Sequence, residues 1–279
     1  MQLLSTIVLF VCLSGFTFSL NAAEIVSGIS ARRAPGVSAQ SKMHEFETTH
    51  ANRFPSRKHD EKDGKAEKKR DRKDYLSAYE ARVLLEKLDT SSVPEVSKED
   101  MLTIFTEGRD HRPLVDQESR KRRPTWLYPD DGCFARAELV NREAEKRGHT
   151  VPLKVFVFGN LSAETTNHPD GMISWWYHVA PILKNDGEVY VLDPALKATE
   201  PLTLKDWVGR MSDEKAEVSV CVGTAYDPGS LCFKDEGGTA SRAIADESYY
   251  LESEWERIED LGRNPEDELG DRPPWSIEI

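Results

Sequence analysis

Cysteine, zinc-site spacings and phosphate-binding loops are scarce or missing in this sequence, and each absence excludes a class of function. Only four cysteines occur in 279 residues: Cys12, Cys133, Cys221 and Cys232. Three histidines in apparent loops have no second Cys or His at zinc-site spacing, so we expect no metal: His111, His149 and His168. The sequence also has no Gly-rich phosphate loop and no Gly-x-Ser-x-Gly elbow, which argues against P-loop nucleotide binding and elbow-type serine hydrolysis.

Positive charge is also in short supply. Lys and Arg number 37 against 49 Asp and Glu, which gives a net charge of −12. A nucleic-acid-binding face would be basic, so we expect no nucleic-acid partner. The exception is the segment 51–73, where ten basic and five acidic residues give a local charge of +5. It lacks aromatic spacing and is interpreted as a solvated linker, whereas residues 244–279 carry a local charge of −9.

No apolar run at the N-terminus is long enough to span a membrane. Residues 3–15 are apolar but too few for a spanning helix, and small residues follow at Ala22 and Ala23. This pattern predicts a signal peptide over residues 1–23, although its first residues carry no Lys or Arg. We therefore expect a secreted or periplasmic protein with no stable membrane association after the signal is removed.

Export changes how the cysteines are counted. Loss of Cys12 with the signal leaves three, and an odd number in an oxidising compartment predicts one disulfide and one free thiol. Cys221 and Cys232 bracket a turn-rich loop that could close easily, so they are the candidate pair and Cys133 is the free thiol. Three buried, reduced cysteines are the open alternative.

The order of expected elements predicts an α+β fold with a helix packed on an antiparallel sheet. Residues 24–96 are expected to be a largely disordered linker with a helix near 74–88, and residues 97–262 a compact domain. A helix is expected over 133–147, strands over 153–158, 175–183, 188–192 and 218–222, and a charged helix over 246–261. Residues 263–279 read as an acidic, Pro-rich tail.

Cys133 opens the expected helix over 133–147. Only a thiolate is a good nucleophile, and both a helix N-terminus and a nearby imidazolium favour that form. His178, on an aromatic strand, is the candidate base, and Asp193 is the candidate that orients its ring. Each residue also has an ordinary interpretation: a buried thiol, a structural histidine and a strand-ending aspartate. Their conjunction favours catalysis.

A predicted hairpin gives His178 and Asp193 a reason to meet. The Asp186-Gly187 step is a hairpin signal between the strands 175–183 and 188–192. A turn centred there places Asp193 nearly opposite Ala180, within side-chain reach of His178. A one-residue change of register would move Asp193 to the other face of the sheet.

The blocks around these three residues resemble the bacterial protein-glutaminase family. They are WLYPDDGCFARA at 126–137, WYHVA at 176–180 and YVLDP at 190–194, and the resemblance runs from about Ile104 to Trp207. It implies hydrolysis of the side-chain amide of protein-bound glutamine, with no cofactor, in a core similar to cysteine proteases and transglutaminases. Cys133 would attack, His178 would protonate the leaving ammonia, and Asp193 would complete the triad. The aromatic residues of the same blocks are the expected substrate contacts: Trp126, Trp176 and Tyr177.

The resemblance also implies a precursor. Residues 24–96 would then be a pro-segment that covers the site, with an easy cleavage target in the basic stretch 57–73. The expected partners are a protein or peptide substrate that bears glutamine and this intramolecular pro-segment. The triad alone leaves other functions open: a transglutaminase-like acyltransferase, a cysteine peptidase, or a catalytically inactive interaction module.

Overall fold

Apolar alternation in the middle of the chain builds one large antiparallel sheet. The computed structural model describes residues 72–211, 213–237, 239–270 and 272–275. The expected signal peptide over 1–23 and the rest of the chain up to residue 71 lie outside the described residues. Within the described ranges, no helix is both long and apolar enough to cross a membrane.

Eight strands in the described residues form two sheets. In chain order they are β1 (Val83–Leu84), β2 (Leu114–Val115), β3 (Lys121–Arg122), β4 (Leu153–Glu164), β5 (Met172–Asn185), β6 (Glu188–Val191), β7 (Leu202–Thr203) and β8 (Glu217–Cys221). The large sheet has the order β1-β8-β4-β5-β6-β7 with every pair antiparallel, and β2 and β3 form a separate ribbon.

Helices precede and follow the sheet strands. They are α1 (Lys98–Asp110), α2 (Cys133–Arg147), α3 (Leu204–Gly209), α4 (Ala240–Ser248), α5 (Leu251–Asp260) and α6 (Pro265–Leu269). Helix α2 packs on the sheet where Ala137 joins a buried cluster with Phe156, Phe158 and Val179. The alternate residues of β4 and β5 pack on Trp207 of α3 instead. The predicted α+β class, with a helix on an antiparallel sheet, is confirmed.

The predicted hairpin between β5 and β6 is confirmed, including its register. Ile182 lies opposite Val191, and Asn185 lies opposite Glu188. The two turn residues have positive φ, 50° at Asp186 and 79° at Gly187. Positive φ at both central residues is typical of a type I′ turn, whose twist matches that of the paired strands. Asp-Gly is among the residue pairs that favour this turn.

The expected helix over 74–88 is wrong. The structure has 3-10 helices at Arg72–Tyr75 and Leu85–Lys87, with β1 between them. Tertiary pairing takes the backbone groups that a helix would use: the Ala78 and Tyr79 N–H groups donate to residues 230 and 228. Ala78, Tyr79 and Val93 are buried. The described part of the expected linker is therefore packed into the domain.

The C-terminal region also differs from expectation. Two helices, α4 and α5, replace the single charged helix expected over 246–261, and they meet at Tyr249 and Tyr250. Beyond them, α6 falls inside the expected acidic tail, and Leu269 and Trp275 pack against Trp255 and Ile258. An apolar cluster therefore packs this end of the chain into the domain despite its acidic composition.

Candidate active site

Helix α2 begins with the candidate nucleophile. Gly132 caps the helix with φ of 82°, a left-handed conformation that glycine adopts without strain, and Cys133 is the first helical residue. The side chain of Cys133 is 7% exposed. The N-terminal turn of a helix has backbone N–H groups without intrahelical partners, so the thiol lies where the helix is most positive.

His178 and Asp193 are hydrogen-bonded to each other. His178 Nε2 lies 2.8 Å from Asp193 Oδ2, and both side chains are buried. The pairing of β5 with β6 ends at Ile182 and Val191, after which Leu192 N donates to Pro181 O and the chain carries Asp193 towards His178. The hairpin therefore brings these two residues together, as its predicted register requires.

Cys133 faces the same histidine. Cys133, His178 and Asp193 line one narrow cavity of about 10 Å³, which is room for roughly one water molecule. The second ring nitrogen, His178 Nδ1, is buried and has no hydrogen bond of standard geometry to any described residue. Because Cys133 is one of the groups that stabilise the charged ring, its thiol is the partner available to Nδ1. All three predicted residues are therefore brought together.

The charges of this cluster favour an imidazolium. Burial opposes the charged form of His178, but the charge of Asp193, its hydrogen bond and the interaction with Cys133 outweigh burial and raise the pKa of His178 to about 9. Burial likewise opposes the carboxylate of Asp193. The charge and hydrogen bond of His178, and the hydrogen bond of Trp207, nevertheless hold the pKa of Asp193 below its usual value. At neutral pH both ring nitrogens of His178 are therefore protonated, and the ring is an imidazolium.

Two tryptophans stack on the His178 ring, and the sequence did not indicate either of them as a site residue. The His178 ring stacks between Trp175, with ring centroids 4.7 Å apart, and Trp207, at 5.5 Å. Trp207 Nε1 also donates to Asp193 Oδ2 at 2.8 Å, and Trp175 Nε1 donates to Pro129 O at 2.8 Å. Both indoles therefore fix the orientation of the His-Asp pair.

An irregularity in the sheet explains the position of Trp175. Strict alternation would put Trp175 and His178 on opposite faces of β5. The register between β4 and β5 shifts after Phe158 and resumes at Leu161, opposite Trp175. The shift leaves one extra residue on β4, as at a β-bulge, and Trp175 beside it lies on the same side as His178, on which it stacks. Gly159, inside β4 at the shift, is the sequence signal that could have indicated this bulge.

The three aromatic residues expected to contact substrate have different surroundings. Trp126 lines the cavity with Cys133 and donates from Nε1 to Arg109 O at 2.9 Å. Burial, followed by the proximity of Cys133, raises the pKa of Tyr177 above its usual value, which places that phenol near the thiol. Trp176 packs instead in an aromatic cluster, with its ring centroid 6.4 Å from Tyr79. Their contact with substrate stays a prediction.

The two other cysteines in the described part of the chain are paired. Cys221 and Cys232 form a disulfide, and Cys133 is the free cysteine of the described residues. No group of three or more His, Cys, Asp or Glu side chains in the described ranges is arranged to hold a metal ion.

Comparison with known proteins gives one family match and several similar solved structures. A family model described as glutaminase matches residues 101–211. A protein-glutaminase crystal structure is similar to 57% of this chain over 88% of its own, with 23% identity and a TM-score of 0.43. The protein-glutaminase of Chryseobacterium proteolyticum, solved by NMR, is 25% identical over 52% of this chain and 82% of its own, with a TM-score of 0.39.

A crystal structure of pro-protein-glutaminase is 20% identical over 73% of this chain and 70% of its own, with a TM-score of 0.42. Comparison with curated proteins found no match. The matched segment 101–211 contains Cys133, His178 and Asp193. The resemblance of this chain to the protein-glutaminase family, first indicated by three short blocks of sequence, is confirmed over residues 101–211.

Proposed function

We propose that this chain is an exported protein-glutamine glutaminase, which hydrolyses the side-chain amide of protein-bound glutamine to glutamate and ammonia through a thioester on Cys133. The observation that carries the proposal is the cavity shared by Cys133, His178 and Asp193, inside the segment that matches the glutaminase model. The family match by itself supports an enzyme of the deamidase class.

In the first half of the reaction, the thiolate of Cys133 attacks the side-chain carbonyl carbon of glutamine. A carbon–sulfur bond forms, and the carbonyl electrons move to oxygen. When the oxyanion collapses, the carbon–nitrogen bond breaks and the imidazolium of His178 gives its proton to the departing ammonia. The backbone N–H of Cys133, at the start of α2, is the proposed donor to the oxyanion.

In the second half, water resolves the thioester. His178, now neutral, takes a proton from the water as it attacks the thioester carbon. The carbon–sulfur bond then breaks, which releases glutamate and restores the thiolate and imidazolium. Asp193 stabilises the imidazolium throughout, since it bonds to the ring nitrogen that faces away from the thiol. The raised pKa of His178, about 9, suits a group that must be protonated before ammonia leaves.

Export and a pro-segment belong to the same proposal. A disulfide between Cys221 and Cys232 is consistent with an oxidising compartment. Cleavage in the basic stretch 57–73 would leave Ala78, Tyr79 and Val93 in the domain core, where they are buried. We therefore propose that the removable pro-segment ends before these residues and does not include all of the expected range 24–96.

The test is ammonia release from a glutamine-rich, unfolded protein, with mass spectrometry of the product. The proposal expects ammonia and conversion of glutamine to glutamate, with the chain neither cut nor cross-linked. Cys133→Ala should abolish the release, whereas Thr106→Ala on α1 should not. Cleavage or cross-linking would favour the peptidase or acyltransferase alternative. An unchanged rate in Cys133→Ala would remove the triad from the mechanism.

A further inference from the structure

Buried acidic residues of helices α4 and α5 contact the loop that precedes Cys133. Glu247 of α4 accepts hydrogen bonds through Oε1 from Thr125 N at 2.7 Å and from Thr125 Oγ1 at 2.6 Å. Glu254 of α5 accepts from Leu127 N at 2.8 Å. Two backbone N–H groups of the loop 125–131 therefore depend on carboxylates more than 120 residues away in sequence.

The same helices also contact side chains of the loop. Arg257 of α5 forms a bidentate salt bridge with Asp130, with Nη1 to Oδ2 at 2.6 Å and Nη2 to Oδ1 at 3.0 Å. Tyr250, between α4 and α5, stacks on Tyr128 with ring centroids 5.7 Å apart. A two-pronged guanidinium–carboxylate contact fixes direction as well as distance.

The contact reaches the residue next to the nucleophile. A Cβ on Gly132 would lie 2.8 Å from Glu247 Oε2 and 3.2 Å from a ring carbon of Tyr250. The backbone immediately before Cys133 is thus packed directly against α4 and its junction with α5. Glycine at 132 is required twice, by its positive φ and by this close approach.

Helix α2 holds the opposite side of the same loop. Arg136, one turn after Cys133, donates from Nη1 to the carbonyl oxygens of Asp131 at 2.7 Å, Tyr128 at 3.2 Å and Thr125 at 3.3 Å. Its Nη1 is also 3.9 Å from Glu247 Oε1. The loop's carbonyl groups are therefore fixed by α2, and its N–H groups by α4 and α5.

These contacts bury ionisable side chains, which a layer of apolar residues packed on the loop would not require. Glu247, Glu254 and Arg257 are each at most 2% exposed. Apolar residues of similar size would close the same surface without desolvating ions. Three buried ionisable side chains aimed at one loop are better explained by a requirement on the position of that loop.

We propose that α4 and α5 form a positioning element for Cys133, with Glu247 as its central residue, so that the active site depends on residues beyond the segment 101–211. The inference rests on the proposed function only in taking the Cys133 sulfur as the reacting atom. Glu247 acts through the loop and α2, and it is a positioning residue because it does not contact the reacting atoms.

The decisive variants are Glu247→Ala and Glu247→Gln, with Glu256→Gln on the exposed side of α5 as the matched control. Three quantities are measured in the full-length protein: the melting temperature, the rate at which iodoacetamide alkylates Cys133 at neutral pH, and kcat and KM for ammonia release. Glu247→Ala should lower both the alkylation rate and kcat about tenfold or more, with a smaller change in KM, because a slightly misplaced nucleophile reacts far more slowly. Glu247→Gln keeps an acceptor oxygen and should recover part of both rates. The control should match the parent.

A merely structural role predicts a different pattern. If folded Glu247→Ala loses melting temperature but keeps the alkylation rate and kcat, the inference is overturned. If that variant does not fold, Thr125→Val replaces it, since it removes one of the two hydrogen bonds to Glu247 and keeps the side-chain shape. Unchanged alkylation in Thr125→Val then overturns the inference. Absence of ammonia release from the parent protein would count against the proposed function alone, because the alkylation comparison does not need it.

Discussion

Trp207 donates its indole N–H to Oδ2 of Asp193 at 2.8 Å, the same carboxylate oxygen that bonds to His178. Trp207 is fully buried in the sheet core and also stacks on the His178 ring. Trp207 therefore contacts both members of the hydrogen-bonded pair, Asp193 through its N–H and His178 through its ring.

Replacement of Trp207 by Phe should weaken catalysis more than binding. The change keeps an aromatic ring but removes a hydrogen bond to a charged group, which contributes about 1.5–3 kcal/mol. We expect kcat for ammonia release to fall roughly tenfold or more with little change in KM. Trp275→Phe, which alters an indole packed against Trp255, is the control. Equal kcat in Trp207→Phe and the parent would show that Asp193 needs no second donor.

The pH dependence of kcat should reveal the His178–Asp193 pair. With a pKa of about 9, His178 keeps its proton at neutral pH and loses it as pH rises through that value, so kcat should fall on the alkaline side near pH 9. The charge of Asp193 is the main cause that raises this pKa. Asp193→Asn should therefore move the alkaline fall to lower pH and reduce kcat by several orders of magnitude, on the order of 10⁴ for a comparable triad. An alkaline fall that stays near pH 9 in Asp193→Asn would contradict this assignment.

Glu254 should make stability depend on pH. Burial is the largest cause that raises its pKa, to about 7 from 4.5, so the folded state holds this proton where the unfolded chain has released it. The free energy of unfolding should therefore decline as pH rises from about 5 through 7. Glu254→Gln removes this titration and keeps an acceptor for Leu127 N, so its melting temperature should decline less over the same interval. The comparison is thermal unfolding of both proteins at pH 5 and pH 8, and parallel declines would refute it.

Loss of the disulfide should lower stability without removing the chemistry. The Cys221–Cys232 bond closes a short loop, with a sequence separation of 11, and a loop of that size contributes about 3 kcal/mol to the free energy of unfolding. The double substitution Cys221→Ala and Cys232→Ala should reduce the denaturant midpoint accordingly, while the enzyme stays active at low temperature. Cys133→Ala should show the reverse, with lost activity and a nearly unchanged midpoint. A double variant that is stable but inactive would mean that the bond supports the site directly.

Local sequence signals were sufficient to predict that His178 and Asp193 meet and that Cys133 begins a helix. The Asp186-Gly187 step sets the turn, strand alternation sets the register, and a glycine before Cys133 marks the helix start. Each of these depends on residues close in sequence. The position of His178 relative to Asp193 could therefore be predicted before any coordinates were known.

Contacts between distant segments could not be predicted in this way. The spacing of Tyr75, Tyr79 and Val83 resembles a helix, but the backbone there bonds to residues 228–232. Trp175 stacks on His178 beside a shift in register between β4 and β5, which strict strand alternation does not predict. Charged residues such as Glu247 usually lie on a solvated face, and nothing in their spacing reveals a buried partner at Thr125.

The position of β8 has a practical consequence for protein production. This strand pairs with β4 on one side and with β1 on the other, so it lies inside the sheet although it follows residue 211 in sequence. An expression fragment trimmed to residues 101–211 would leave β4 with an open edge of unpaired backbone groups, a surface prone to aggregation. Such a fragment would also lack the carboxylates that bond the Thr125 and Leu127 N–H groups. The smallest useful fragment should therefore include the buried residue Ala78 and extend to Trp275, which packs against Trp255.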